Sequence, residues 1–170
     1  MRFLNLAISL FAATSVILSG GIAAAQPMGM DGSYIGVGVA GGVTSGGQGN
    51  DGEVFGGNVQ GRYAIPEASM SARGAILFGG DAAAIMPMLT IDSPIAENTN
   101  LYFGGGYSWI TDEGDNTPLG NKNAPVITVG VESEVSDRLI VYGDAKLGID
   151  AYENSSNSAV SLQGGLGYRF

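Results

Sequence analysis

From Ser33 to the last residue, Phe170, the chain alternates apolar with small or polar side chains at a period of two, and it does so in eight separate runs. Successive side chains of a strand point to opposite faces, whereas a helix repeats every 3.6 residues, so this pattern predicts strands and no helical core. The runs are 33–43, 54–64, 70–79, 83–91, 100–110, 124–134, 139–149 and 159–170. Clusters of Gly, Asn, Asp and Ser separate them and read as turns. In the first run Ile35, Val37 and Val39 oppose Tyr34, Gly36, Gly38 and Ala40. In the last, Val160, Leu162, Leu166, Tyr168 and Phe170 oppose Ser161, Gln163, Gly165, Gly167 and Arg169. The fourth run is the least regular: both its faces are apolar, and Pro87 lacks a ladder donor, which fits a bulge better than a regular strand. Connections after the first, fifth and seventh runs are long and acidic, and those after the second, fourth and sixth are shorter. The connection after the third, at Gly80-Asp81, is also short, which leaves the register there open.

Alternation does not say which face is inside. A soluble barrel buries the apolar face; a membrane barrel turns it toward lipid and keeps the polar face in the lumen. Three features favour the second arrangement. The polar faces are mostly Gly, Ala and Ser, and the chain holds 29 Gly, about twice the usual share. Such residues pack poorly on a wetted sheet but suit a narrow lumen, where small residues make room for a few large ones. No apolar face carries a charge, and an Arg at the bilayer midplane would cost roughly 2–4 kcal/mol. The aromatics Phe55, Tyr63, Phe78, Tyr107, Trp109, Tyr168 and Phe170 fall near run ends, where interfacial girdles sit. Runs of about ten residues span a thin hydrocarbon layer when tilted. The expected fold is therefore all-β: an eight-stranded antiparallel up-and-down transmembrane barrel over 33–170.

Ahead of it, residues 1–25 join a basic start, Met1-Arg2, to an apolar run and an Ala23-x-Ala25 exit. This is the pattern of a cleavable secretory signal, with an uncleaved anchor as the alternative. Residues 26–32 form a short N-terminal tail.

The ending "GYRF" on an amphipathic last run resembles the C-terminal signal of bacterial outer-membrane barrels. The mature chain as a whole resembles small eight-stranded barrels of the OmpA/OmpX type, without the periplasmic domain of two-domain relatives. That resemblance implies the cell outer membrane of a Gram-negative-type bacterium, reached after export. It also implies contact with outer-membrane lipids and recognition of Tyr168 and Phe170 by the barrel assembly machinery.

Charge completes the reading. Seven basic residues against sixteen acidic ones give a net charge of −9, which argues against nucleic acid. The lumen face collects Arg62, Arg73, Lys146 and Arg169 with Glu132, Glu134 and Asp144, a set that suits a salt-bridged structural plug. With no His and no Cys, the imidazole and thiol of the usual catalytic triads are missing, so no enzyme, catalytic residue or cofactor is expected. "GVGVAG" at 36–41 matches a dinucleotide fingerprint, but no helix follows it. Loop acids such as Asp51, Glu53, Asp81, Asp112, Glu113, Asp115, Asp150 and Glu153 supply hard oxygen donors for divalent cations; solubility is the simpler explanation, and no resident metal is expected. The expected function is an integral outer-membrane barrel with a structural or surface-interaction role. The alternatives are a narrow porin-like pore and a soluble periplasmic ligand-binding barrel.

Overall fold

The computed structural model describes residues 28–46 and 53–170; the 1–25 leader and Asp51 lie outside them. The runs form β1 (Tyr34–Gly42), β2 (Phe55–Ile65), β3 (Met70–Gly79), β4 (Ala82–Ala96), β5 (Thr99–Ile110), β6 (Ala124–Ser136), β7 (Leu139–Gly148) and β8 (Ala159–Arg169). Each pairs antiparallel with the next, and β1 pairs with β8, so the sheet closes into a barrel. Closure leaves no sheet edge, which is what a strand-built protein needs where no water can satisfy the backbone.

β4 corrects the sequence reading twice. Pro87 makes no bulge: Arg73↔Met88, Gly74↔Pro87 and Ala75↔Met86 keep one register with β3. On the β5 side, Ile85↔Trp109 and Met88↔Gly106 flank it in one register. In an antiparallel ladder a residue's N–H serves one neighbour only, so a proline removes a single bond and shifts nothing. The irregularities fall instead between Pro94 and Ala96 and between Glu134 and Ser136, beside tight turns. β4 also runs on through Asp92 to Ala96, a stretch the sequence reading gave to a connection. The Gly80-Asp81 register is now fixed: pairing is unbroken from Met70↔Ile91 to Gly79↔Ala82, a two-residue hairpin.

The apolar stripes face outward. Ile35, Val37, Phe103 and Leu162 are each more than half exposed, and Val129 stands 41% exposed, whereas Lys146 is 1% and Arg62 4% exposed. In water such a continuous oily belt would forfeit about 1.5–3 kcal/mol per large side chain; acyl chains remove that penalty.

The interior has two zones. At the end carrying the long connections, Leu77, Met86, Met88, Ile110 and Val126 pack with Ala40, Ala75, Ala84 and Ala124 into a dry core. At the end carrying both chain termini, the lumen holds Tyr34, Tyr142 and the ionic groups. Here a glycine is a spatial necessity: a Cβ on Gly165 would stand 2.4 Å from the Tyr142 hydroxyl. Large inward side chains on one strand thus require empty positions on the next.

Both mouths are covered. At the terminal end, residues 28–33 cross the opening from β1 to the β4–β5 turn. Asn98 N donates to Met28 O (3.0 Å), Asn100 Nδ2 to Met30 O (2.7 Å), and Arg62 Nη1 to Gly32 O (2.9 Å). Met30 is buried beneath this strap. At the other end, the β5–β6 and β7–β8 connections interlock. The amides of Asn121 and Lys122 donate to Ala151 O at 3.0 and 3.2 Å, and Leu119, Ala151 and Tyr152 close over the dry core.

Candidate functional site

The side chains converging in the lower lumen come from five strands, β1 to β4 and β6. Arg62 on β2 and Arg73 on β3 are cross-strand partners, and two cations side by side require anions on both flanks. Asp92 on β4 and Glu132 on β6 supply them. Arg62 Nη2 lies 2.8 Å from Asp92 Oδ2, and its Nε lies 3.2 Å from Glu132 Oε1. Arg73 Nη2 reaches Asp92 Oδ1 at 3.1 Å, and its Nη1 reaches Glu132 Oε2 at 2.8 Å. The remaining acceptor sites are filled by hydroxyls. Tyr34 OH donates to Glu132 Oε2 at 3.0 Å, Thr90 Oγ1 to Asp92 Oδ1 at 3.1 Å, and Ser71 Oγ to Asp92 Oδ2.

The network continues up the lumen. The Arg73 guanidinium lies 3.7 Å from the centroid of the Tyr102 ring, within cation–π range. Tyr102 OH donates to Asp144 Oδ2 at 2.8 Å, and Lys146 Nζ binds Asp144 Oδ1 at 2.5 Å. Gln60 joins the two levels, donating to Tyr34 OH at 3.1 Å and accepting from Lys146 Nζ at 3.4 Å. Among the described residues the buried charges are Arg62, Arg73 and Lys146 against Asp92, Glu132 and Asp144, so three positive and three negative groups sum to zero. That balance is what confinement demands, because an unpaired buried ion is worth several kcal/mol of penalty.

Of the charges singled out from sequence, Arg62, Arg73 and Glu132 share one cluster, and Asp144 pairs with Lys146 above it. Glu134 and Arg169 meet apart from these, as a partly exposed pair at the terminal rim. Sequence reasoning missed Asp92, which continues the inward series Met86, Met88, Thr90 of β4; extending the period past Thr90 would have found it.

The aromatics stand in two groups on the outer wall. Phe55, Phe78, Tyr107 and Trp109 lie near the loop end, and Tyr63, Tyr168 and Phe170 near the terminal end, all exposed. Phe170 is tied down through its backbone N–H, which donates to Ser33 O at 3.1 Å, and Arg138 Nη1 donates to Tyr168 OH at 2.8 Å. Loop acids do not converge: among the described residues no group of three or more His, Cys, Asp or Glu side chains could hold a metal ion.

No family model matches the chain, and no curated protein matches it. Solved structures do resemble it. Neisserial surface protein A superposes with a TM-score of 0.64 at 14% identity, over 81% of this chain and 97% of that one. The attachment invasion locus protein of Yersinia pestis, in complex with the heparin analogue sucrose octasulfate, gives 0.56 at 19% identity, over 83% and 100%. A de novo designed transmembrane β-barrel gives 0.54 at 14% identity, over 86% and 98%. At these identities the likeness is one of fold. The chain is a small closed eight-stranded barrel of the transmembrane kind, and the resemblance to OmpA/OmpX-type barrels holds at that level.

Proposed function

We propose that this protein is an integral outer-membrane barrel with a structural or surface-interaction role, presenting the interlocked connections of its loop end to the outside. It performs no covalent chemistry and conducts no solute. The observation that carries this reading is the pairing of an apolar outer wall with an interior closed by mutually satisfied ions. Among the described residues every buried carboxylate is held by a guanidinium or ammonium group, so none of these is free to act as a general base. Two natural proteins of similar fold carry surface and attachment names, which supports a surface role. In this reading residues 1–25 direct export, Tyr168 and Phe170 present the last strand to the assembly machinery, and the two aromatic groups mark the bilayer boundaries against lipid.

A narrow pore would need Arg62, Arg73, Asp144 and Lys146 to part from their partners. The test joins two measurements. In intact cells the protein should fractionate with the outer membrane and be cleaved by external protease only at a site engineered within 111–123. Purified protein in planar bilayers should give no steady conductance. Steady unitary currents would overturn the closed interior, and recovery in the soluble periplasmic fraction would overturn the membrane placement.

A further inference from the structure

Where the outer wall meets the interlocked connections there is a cleft of about 550 Å³, lined by Tyr107, Glu113, Lys122, Asn123, Glu153 and Asn154. We infer that it is a saccharide-binding site, taking a neutral sugar residue against the face of Tyr107.

Its shape is set before any ligand arrives. Asn123 is fixed from two sides, its Oδ1 accepting from Ile110 N at 2.7 Å and its Nδ2 donating to Glu113 Oε1. Lys122 Nζ is held by Asp150 Oδ2 at 2.9 Å, and Glu153 N donates to Asn121 Oδ1 at 3.0 Å. The cleft walls therefore belong to one cross-braced unit, and binding there loses little loop entropy. Tyr107 supplies the floor. Tyr107 is 37% exposed and its ring is buttressed by Trp109, with centroids 5.2 Å apart and planes at 56°.

The chemistry selects the ligand. An aromatic face carries negative charge density, which suits the weakly positive C–H face of a pyranose. Also lining the cleft, Glu153 and Asn154 are exposed, and their side chains make no hydrogen bond among the described residues. A carboxylate accepts while an amide both donates and accepts, which is the complement of a ring of hydroxyls. A polyanionic ligand would meet Glu113 and Glu153. A purely apolar one would strip water from the amides and return no hydrogen bond. The single cation at the cleft, Lys122, is already paired.

The cleft opens at the outer limit of the apolar belt, so the same chemistry has two sources: the headgroup of a glycolipid in the surrounding leaflet, or a soluble glycan. The inference rests on the surface-facing reading only for that source. Binding itself is measured on purified protein, so the two fail separately.

The experiment uses the folded barrel in dodecylphosphocholine micelles, which carry no sugar, titrated with maltotriose and with chitotriose and followed by amide NMR. A second arm replaces the micelles with phospholipid bicelles containing a neutral glucosyl lipid. Saturable shifts are expected at the Asn123 and Asn154 side-chain amides and the Trp109 indole. Affinity should fall about tenfold, the scale of a lost central contact, in both Tyr107→Ala and Asn154→Ala, and stay unchanged in Phe55→Ala. Saturation by free sugar assigns a soluble source; saturation in bicelles alone assigns the leaflet. No saturable shift in either arm, or shifts of equal affinity in both variants, overturns the site.

Discussion

Arg73 shows how much one side chain holds in place. It contacts both carboxylates of the lower lumen and the Tyr102 ring, while Glu132 is completely buried. Removing the guanidinium alone strands that carboxylate, so Arg73→Met should lower unfolding stability by about 3–5 kcal/mol. The double variant Arg73→Met/Glu132→Met removes one charge of each sign, keeps the lumen neutral and should recover most of the loss. Urea unfolding in micelles, followed by Trp109 fluorescence, measures both. At this scale the inward facing of a charge was legible wherever it fell within the bounds of a run, as Arg62, Arg73, Glu132, Asp144 and Lys146 do. It was not legible at Asp92, because the neighbouring Ser93-Pro94 carries the composition of a turn and the strand persists only through its pairing with β5. Tyr34 reads as inward-facing from the sequence but not as a partner of charge, since its hydroxyl's partner comes from a strand 98 residues away in sequence.

Among the elements, the seam between β1 and β8 is made of backbone more than of side chains. Gly36 pairs with Gly167, Gly38 with Gly165 and Val39 with Gly164. A Cβ on Gly38 would stand 2.1 Å from Gly164 O and 2.6 Å from Gly165 Cα, so the strands could not keep their spacing. Gly38→Ala should destabilise the barrel by about 1–3 kcal/mol, the scale of overpacking. Gly74 on β3 has nothing within 4 Å of such an atom, and Gly74→Ala should stay within about 0.5 kcal/mol of the parent. Unfolding midpoints of the two variants, measured side by side, check the contrast. Strand number, order and facing were readable from the period-two pattern because burial differs so sharply between the faces. The course of β4 was not, since its inward Ala and Met residues are as apolar as its outward Ile and Leu, and contrast between faces is the whole signal.

For the molecule as a whole, the closed ends set where motion is possible. The connections at the loop end are braced to each other and to Thr44, which accepts from Tyr152 OH through its carbonyl at 2.8 Å and donates or accepts at its hydroxyl. Amide hydrogen exchange should therefore be slow at Asn121, Lys122 and Ala151 despite their position outside the strands, and rapid exchange there would contradict a braced cap. None of this was visible in the sequence, where 111–123 reads only as a long acidic loop; its order comes from partners in other connections. The same holds for the strap at the opposite mouth, whose hydrogen bonds join residues 70 apart in sequence. Because that strap carries the backbone from β1 across the full width of the ring to Asn98, Met28 lies beneath the start of β5, on the far side from the closing strand. A reporter fused at that position would sit diametrically opposite Phe170, the residue we propose as part of the assembly signal, so it should leave membrane insertion unchanged.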